Sequence, residues 1–414
     1  MKKNNYIFSL SIIGILYFVF GFVTWLNSLL IPFLKTACEL TDAQAYFVTF
    51  AFYISYFVMA IPSSWILKRT GFARGMALGL LIMALGALLF IPAAYQRDYS
   101  LFLCGLFVMG TGLSLLQTAS NPYITILGPI ESAAKRMSIM GLFNKIAGII
   151  GVLVLGSVLF SNMETLNSEI QSLIGTAREA SLDTLVHRLI MPYVVMAIIL
   201  FLLAFMIMLA RLPEAKQETE AENEADDKAK SIFRIPYLWM GVATLFFYVG
   251  VEVIAIDTLG LYGESQGITK EFAPKLSAYS LLALTVGYIV GIYTVPKYIN
   301  QSKALAYSAI LGFAFAVAAI FTSGITSVIF IILLSFAHAM MWPAIWPLAI
   351  DKLGSHTNLA SAFLIMAIAG GAVLPLLYGV LADCINRHVS YFILLPCYVF
   401  IFYFAIKGHK IGKH

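Results

Sequence analysis

The chain has 414 residues, of which 61% are hydrophobic and only 11% charged, and its mean hydropathy is +0.90. Soluble domains carry about 45–50% apolar and about 25% charged residues, so this composition excludes a secreted domain, a cytosolic enzyme and a nucleic-acid-binding protein, whose basic face needs far more charge. The formal net charge of +5 has a different cause, developed below.

Because an apolar helix of roughly 20 residues spans a bilayer, the natural unit of this chain is the membrane crossing. The first apolar run, 6–34, follows Met-Lys-Lys but continues past the length of a signal peptide and lacks a small-residue cleavage site, so it is read as retained. Further runs follow at 44–67, 74–95, 100–128, 137–161, 188–211, 235–262, 273–296, 303–323, 325–350, 358–382 and 389–407. This predicts twelve transmembrane helices, an all-α integral membrane protein. The fourth, seventh and tenth runs are long, and Pro122, Pro343 and Pro347 predict kinks. The sequence divides into a six-helix bundle at 1–211, a cytoplasmic acidic linker at 212–234 that contains ETEAENEADD at 218–227, and a second six-helix bundle at 235–414.

Lys and Arg set the orientation. With both termini in the cytoplasm, eighteen fall on the inner side, Lys68, Arg69, Arg74 and Lys297 among them, and seven on the outer side, including Lys35, Arg97 and Arg387. Topology therefore accounts for the positive charge without a polyanionic partner. Cys38, Cys104, Cys384 and Cys397 show neither disulfide nor metal spacing. No P-loop occurs, so no nucleotide or other cofactor is expected, and GESQG at 263–267 fits GxSxG only by chance, outside any strand-to-helix turn.

The halves echo each other. AGIIG at 147–151 with Gly156 resembles AGG at 369–371 with Gly379, and the spacings Gly148 to Gly156 and Gly371 to Gly379 are both eight. YFVFGFV around Gly21 resembles FFYVGVE around Gly250. Two parallel six-helix repeats place a binding site at the midplane between them.

LNSLLIPF at 26–33, QAYFVTFAFYISYF at 44–57, LQTASNPYITILGP at 116–129 and FLIMAIAGG at 363–371 are similar to the fucose permease branch of the major facilitator superfamily. The similarity covers nearly the whole membrane region. GFVTWLN at 21–27, WPAIWPLAI at 342–350 and GVEV at 250–253 look more like the glucose/galactose and N-acetylglucosamine porters of that branch. The resemblance implies the two-repeat fold, a monomer, and sugar uptake across a bacterial inner membrane coupled to a cation. It also implies a departure, since the fucose permease pattern has an Asp where Ser28 stands and a Glu where Gln117 stands.

Three ionisable residues fall well inside apolar runs: Lys145, Glu252 and Asp257. Intramembrane charges are costly and face a cavity or each other. The Gly21/Gly250 alignment carries Ser28 onto Asp257, so the missing carboxylate has a pseudo-symmetric counterpart, although Asp257 also lies near the outer end of its run. Glu252 is deeper and is the favoured coupling group. The two are five apart, about 140° around a helix, so both face a cavity only if the helix breaks near them. Lys145 could hold a sugar hydroxyl, pair with a carboxylate, or replace an external cation.

A sugar pocket needs amides and a flat aromatic face. Asn27, Gln117, Asn121 and Asn144 supply amides, and Gln117 and Asn121 are i, i+4; hydrogen bonding between helices is the alternative role for these groups. Asn121 and Asn144 also match asparagines of the family pattern. His338, Trp342 and Trp346, spaced by four on the tenth helix, offer a stacking surface or core packing. These readings converge on a secondary transporter importing a hexose of the glucose or galactose type by alternating access, with H⁺ ahead of Na⁺ as the coupling cation and membrane lipids as its surroundings. An uncoupled facilitator, an N-acetylglucosamine porter and a non-transporting sugar sensor are the alternatives, and no catalytic constellation is visible.

Overall fold

The computed structural model describes residues 3–126, 133–210, 232–295, 297–351, 353 and 357–412. Most of the acidic segment at 212–234 lies outside the described residues. No strand occurs among them, and eleven helical spans are long and apolar enough to cross a membrane. One of these, Asp42–Gln96, is 55 residues long and bends sharply at Gly71, where φ is 74°. Only glycine adopts that conformation without strain, so Gly71 turns this span into two crossings and brings the total to twelve.

The first crossing, α1, runs Lys3–Trp25 and continues as Asn27–Ala37. The Phe47–Gln96 helix supplies α2 before Gly71 and α3 after it. Then come α4 (Tyr99–Ile126), α5 (Ala133–Leu159), α6 (Ile190–Leu209), α7 (Pro236–Asp257), α8 (Leu276–Thr294) and α9 (Gln301–Phe321). The tenth, α10, runs Gly324–His338 and Met341–Ile350. Its break at Ala339 and Met340 begins four residues before Pro343, whose ring excludes the Ala339 carbonyl from the helical ladder. The eleventh, α11, is Thr357–Met366 and Gly370–Cys384 around a 3₁₀ turn, and α12 is Leu394–Ile406. Between α5 and α6 the chain forms two helices, Met163–Ser172 and Thr176–His187, where composition alone shows only a polar break.

Lipid offers no hydrophobic force to pull helices together, so small residues that allow close backbone approach decide the packing. Gly79 and Gly86 on α3 face Gly112 and Gly105 on α4. Gly21 on α1 presses against the Asn144 carbonyl of α5, and Gly370 on α11 presses against the Phe246 carbonyl of α7. The eight-residue glycine pairs serve the contact between halves. A Cβ on Gly148 would strike Trp25 of its own half and Leu281 of the other, while one on Gly371 would meet Val253 and Tyr53 in the same relation. Gly156 faces Leu29 and Lys275, and Gly379 faces Tyr46 and Asp42. Thus α5 seats on α8 and α11 seats on α2 by the same device.

At the end of the bundle opposite the chain termini, the far end, polar groups fasten the halves. Arg387 donates from Nε to Asp42 Oδ2 at 2.6 Å and from a terminal nitrogen to Oδ1 at 2.8 Å, and it also reaches the Leu261 carbonyl. Lys35 adds a second cation to Asp42 at 2.8 Å. In return, Asp383 accepts from the backbone N–H groups of Asp42 and Ala43, each at 2.8 Å. Burial opposes the charge of Arg387, but the hydrogen bonds and charge of Asp42 outweigh it and hold the guanidinium above its ordinary value. Deeper in, the Ser28 hydroxyl donates to Ser277 at 3.0 Å, and Gly260 packs on Pro32.

Arg387→Gln removes the two-pronged contact, worth about 1.5–3 kcal/mol for hydrogen bonds to a charged group. The far end should then open at least about tenfold more often. A thiol placed by Ser28→Cys, buried in the closed form, should be alkylated correspondingly faster in the Arg387→Gln background; an unchanged rate would show that the latch does not hold this end shut.

Candidate functional site

One contact between the halves is built from two helix faces, on α5 and α7. On α5, Asn144 and Lys145 follow the stretch where Gly21 lets α1 close in. On α7, Tyr248 and Glu252 are one turn apart and share a face. Lys145 Nζ lies 3.8 Å from Glu252 Oε1, with both side chains about 10% exposed. The ammonium also sits 4.3 Å from the centroid of the Trp25 ring, a cation–π contact that offsets part of its desolvation. Trp25 in turn donates its indole N–H to Asn144 Oδ1 at 3.1 Å.

Glu252 is held from the other side. Tyr248 donates its hydroxyl to Oε2 at 2.9 Å, and the Tyr248 ring stands 6.3 Å from both His338 and Trp342. His338 is fully buried and bonded through Nε2 to the Tyr398 hydroxyl at 2.7 Å, so it buttresses Tyr248 from behind. Trp342 and Trp346 are half-buried and stack on each other at 5.6 Å and 27°.

Several of the residues singled out in the sequence therefore meet: Asn144, Lys145, Glu252 and Trp342 form one group, with Trp346 and His338 attached to its edge. Asp257 stands apart. The helix is unbroken from Pro236 to Asp257 and interrupted only afterwards, at Thr258, so Glu252 and Asp257 keep their angular separation and face different surroundings. Asp257 is wholly buried, and neither carboxyl oxygen has a hydrogen-bond partner. Asn27 is buried with Nδ2 unpartnered. Gln117 is half-buried on α4, while the side chain of Asn121 lies outside the described residues. No group of metal-ligating side chains occurs among those described.

Tyr248, Trp25 and Tyr398 were not singled out from sequence. Tyr248 had a usable signal, being four residues before an intramembrane glutamate. Trp25 had none, because its partners Asn144 and Lys145 are about 120 positions away.

The Major Facilitator Superfamily model matches residues 13–375. The chain belongs to the Major Facilitator Superfamily. It is 32% identical to the glucose/galactose transporter of Brucella abortus over 99% of this chain and 96% of that one. It is 30% identical to the L-fucose-proton symporter of Escherichia coli over 98% of this chain and 94% of that one. Among solved structures, the crystal structure of the major facilitator transporter FucP in the outward conformation superposes with a TM-score of 0.76 at 30% identity, covering 97% of this chain and 98% of that one.

Glu252→Ala leaves the Lys145 ammonium buried without its counter-ion, a change that typically costs about 3–5 kcal/mol. The melting temperature of the purified protein in detergent should fall, and Lys145→Ala added to Glu252→Ala should restore much of it. If the two losses simply add, the residues are not coupled.

Proposed function

We propose that this major facilitator protein is a secondary active transporter that imports a hexose of the glucose or galactose type by alternating access, driven by a cation, H⁺ ahead of Na⁺. The observation that carries the reading is the Lys145–Glu252 pair, which joins the two halves beside an amide and an aromatic face. A contact there must be remade whenever the halves rock, so whatever binds to it biases the conformation. The similarity to a glucose/galactose transporter and to an L-fucose-proton symporter supports both the substrate class and the ion.

In this reading two six-helix units, joined by the segment at 212–234, work as a monomer. Sugar binds among Asn27, Gln117, Asn121, Asn144, Trp342 and Trp346, and the coupling groups are drawn from Glu252, Asp257 and Lys145. The excess of Lys and Arg on one side supports a bacterial inner-membrane location with both termini in the cytoplasm and the Arg387 latch outside. A second reading, an uncoupled facilitator, draws on the same pair, because Lys145 supplies Glu252 with a built-in cation.

Uptake of labelled glucose and galactose into proteoliposomes, under separate inward proton and sodium gradients and under neither, distinguishes these. Accumulation under a proton gradient alone is expected. Equilibration unaffected by either gradient would establish the facilitator, and no hexose movement would overturn the reading.

Orientation is tested with a variant that keeps only Cys384, exposed, and Cys38, where burial pushes the thiol up to about 11. An impermeant maleimide added to intact cells should label Cys384 at once. Cys38 should lag, its rate rising about tenfold per pH unit below that value because the thiolate is the reactive form. Labelling of Cys384 only after the membrane is opened would reverse the orientation.

A further inference from the structure

We propose that the two acidic residues of α7 divide the work of symport: Glu252, clasped with Lys145, binds neighbouring hydroxyls of the sugar, and Asp257 carries the proton. This deepens the symport reading above and rests on it.

The geometry of the pair is that of an open clasp. At 3.8 Å, Lys145 Nζ and Glu252 Oε1 are farther apart than the roughly 2.7–2.9 Å of a charge-assisted hydrogen bond. Oε2 is satisfied by Tyr248, whereas Oε1 is buried and has no hydrogen-bond partner. A strong donor and a strong acceptor are thus held side by side with capacity to spare. Adjacent hydroxyls of a pyranose complement them, one accepting from Nζ and the next donating to Oε1. Asn144 accepts from Trp25 through its Oδ1, so its amide N–H groups are the part of it that donates to a sugar in this reading. Trp342, beside Tyr248, offers the flat face that a sugar ring stacks against.

The charge balance separates the two carboxylates. In the proposed cycle the proton strengthens sugar binding, and the sugar strengthens proton binding by the same factor, since coupling between two ligands is reciprocal. Protonating Glu252 would do the opposite, removing the negative charge that makes the clasp a strong acceptor and that balances Lys145. Asp257 has no such commitment. It is fully buried, both its oxygens lack partners, and no described cation pairs with it. Among the described residues, the titratable groups that interact with it electrostatically are Glu252 on its own helix and, from the other half, Tyr46 just before α2 and Tyr53 on α2. None of these neutralises a carboxylate.

Asp257 is wholly buried toward the end of α7, the end at which the halves meet. Tyr46 belongs to the opposite half and packs against Gly379, and the Ser28–Ser277 contact joins the halves at the same end. A lone carboxylate in such surroundings is costly, and the neutral acid much less so. Closure of the far end over Asp257 therefore requires that it first take up a proton. Five residues, about 7.5 Å at 1.5 Å per residue, separate it from Glu252 on the side of the far end, so an incoming proton reaches Asp257 before the clasp.

The test uses full-length protein in proteoliposomes and two assays: counterflow of labelled glucose or galactose, which needs no net proton movement, and accumulation driven by a proton gradient. Asp257→Asn should retain counterflow, lose accumulation, and lose the pH dependence of the half-saturating sugar concentration. Glu252→Gln should raise the half-saturation for counterflow by about tenfold or more, the loss expected for one hydrogen bond to a charged group. Glu252→Asp keeps the charge and draws the clasp back by one methylene, so it should show the same defect even if Glu252→Gln folds poorly.

The division is overturned if Asp257→Asn still accumulates sugar, or if Glu252→Gln exchanges sugar with unchanged half-saturation but cannot accumulate it, which would make Glu252 the proton carrier. Failure of the symport reading looks different: wild type would then show no counterflow, or would equilibrate sugar without response to the proton gradient.

Discussion

An ion pair drawn from opposite halves organises the middle of this protein. Lys145 and Glu252 would each be expensive to place alone in a hydrocarbon layer, and each is made tolerable by the other. Their meeting requires α5 and α7 to sit at one junction. The remaining contacts of the site serve that arrangement: Trp25 shields the ammonium and orients Asn144, Tyr248 holds the carboxylate, and His338 with Tyr398 supports Tyr248. Together the ammonium and the carboxylate carry no net charge, which is what makes the pair tolerable in the membrane interior.

Two kinds of constraint deliver the helices to that junction. Glycines at Gly21 and Gly370 allow backbones within each half to touch, and those at Gly148, Gly156, Gly371 and Gly379 allow the halves to touch each other. Polar groups add direction at the far end, where Asp42 takes two cations and Asp383 accepts from the backbone that follows. Glycine packing constrains shape and is insensitive to ions, whereas the latch is made of charges that water can replace. That difference suits an interface which must hold its register at the midplane and still part at its end.

The relation between Glu252 and Asp257 illustrates how environments can differ along one helix. Five residues apart on an unbroken α7, they face different surroundings. One is bonded and ion-paired, the other enclosed with nothing to bond to. Identical chemistry thus meets separate surroundings through rotation around the helix axis alone.

Much of this was legible in the residues themselves. Apolar run length marks the crossings, since the bilayer thickness acts on each segment locally, and the glycine echoes at spacing eight mark the repeat because both halves solve the same packing problem. The three intramembrane charges stand out for the same local reason, as isolated ionisable groups in runs that should hold none. What the sequence by itself determined was therefore the membrane class, the twelve crossings, the repeat and the short list of charged and amide groups. The tertiary structure alone decided the partners: that Lys145 meets Glu252 and not Asp257, that Trp25 and Tyr248 complete the site, and that Arg387 reaches Asp42. Those pairings join positions more than a hundred residues apart or depend on which side of a helix faces the other half, and no spacing along the chain encodes how two bundles dock.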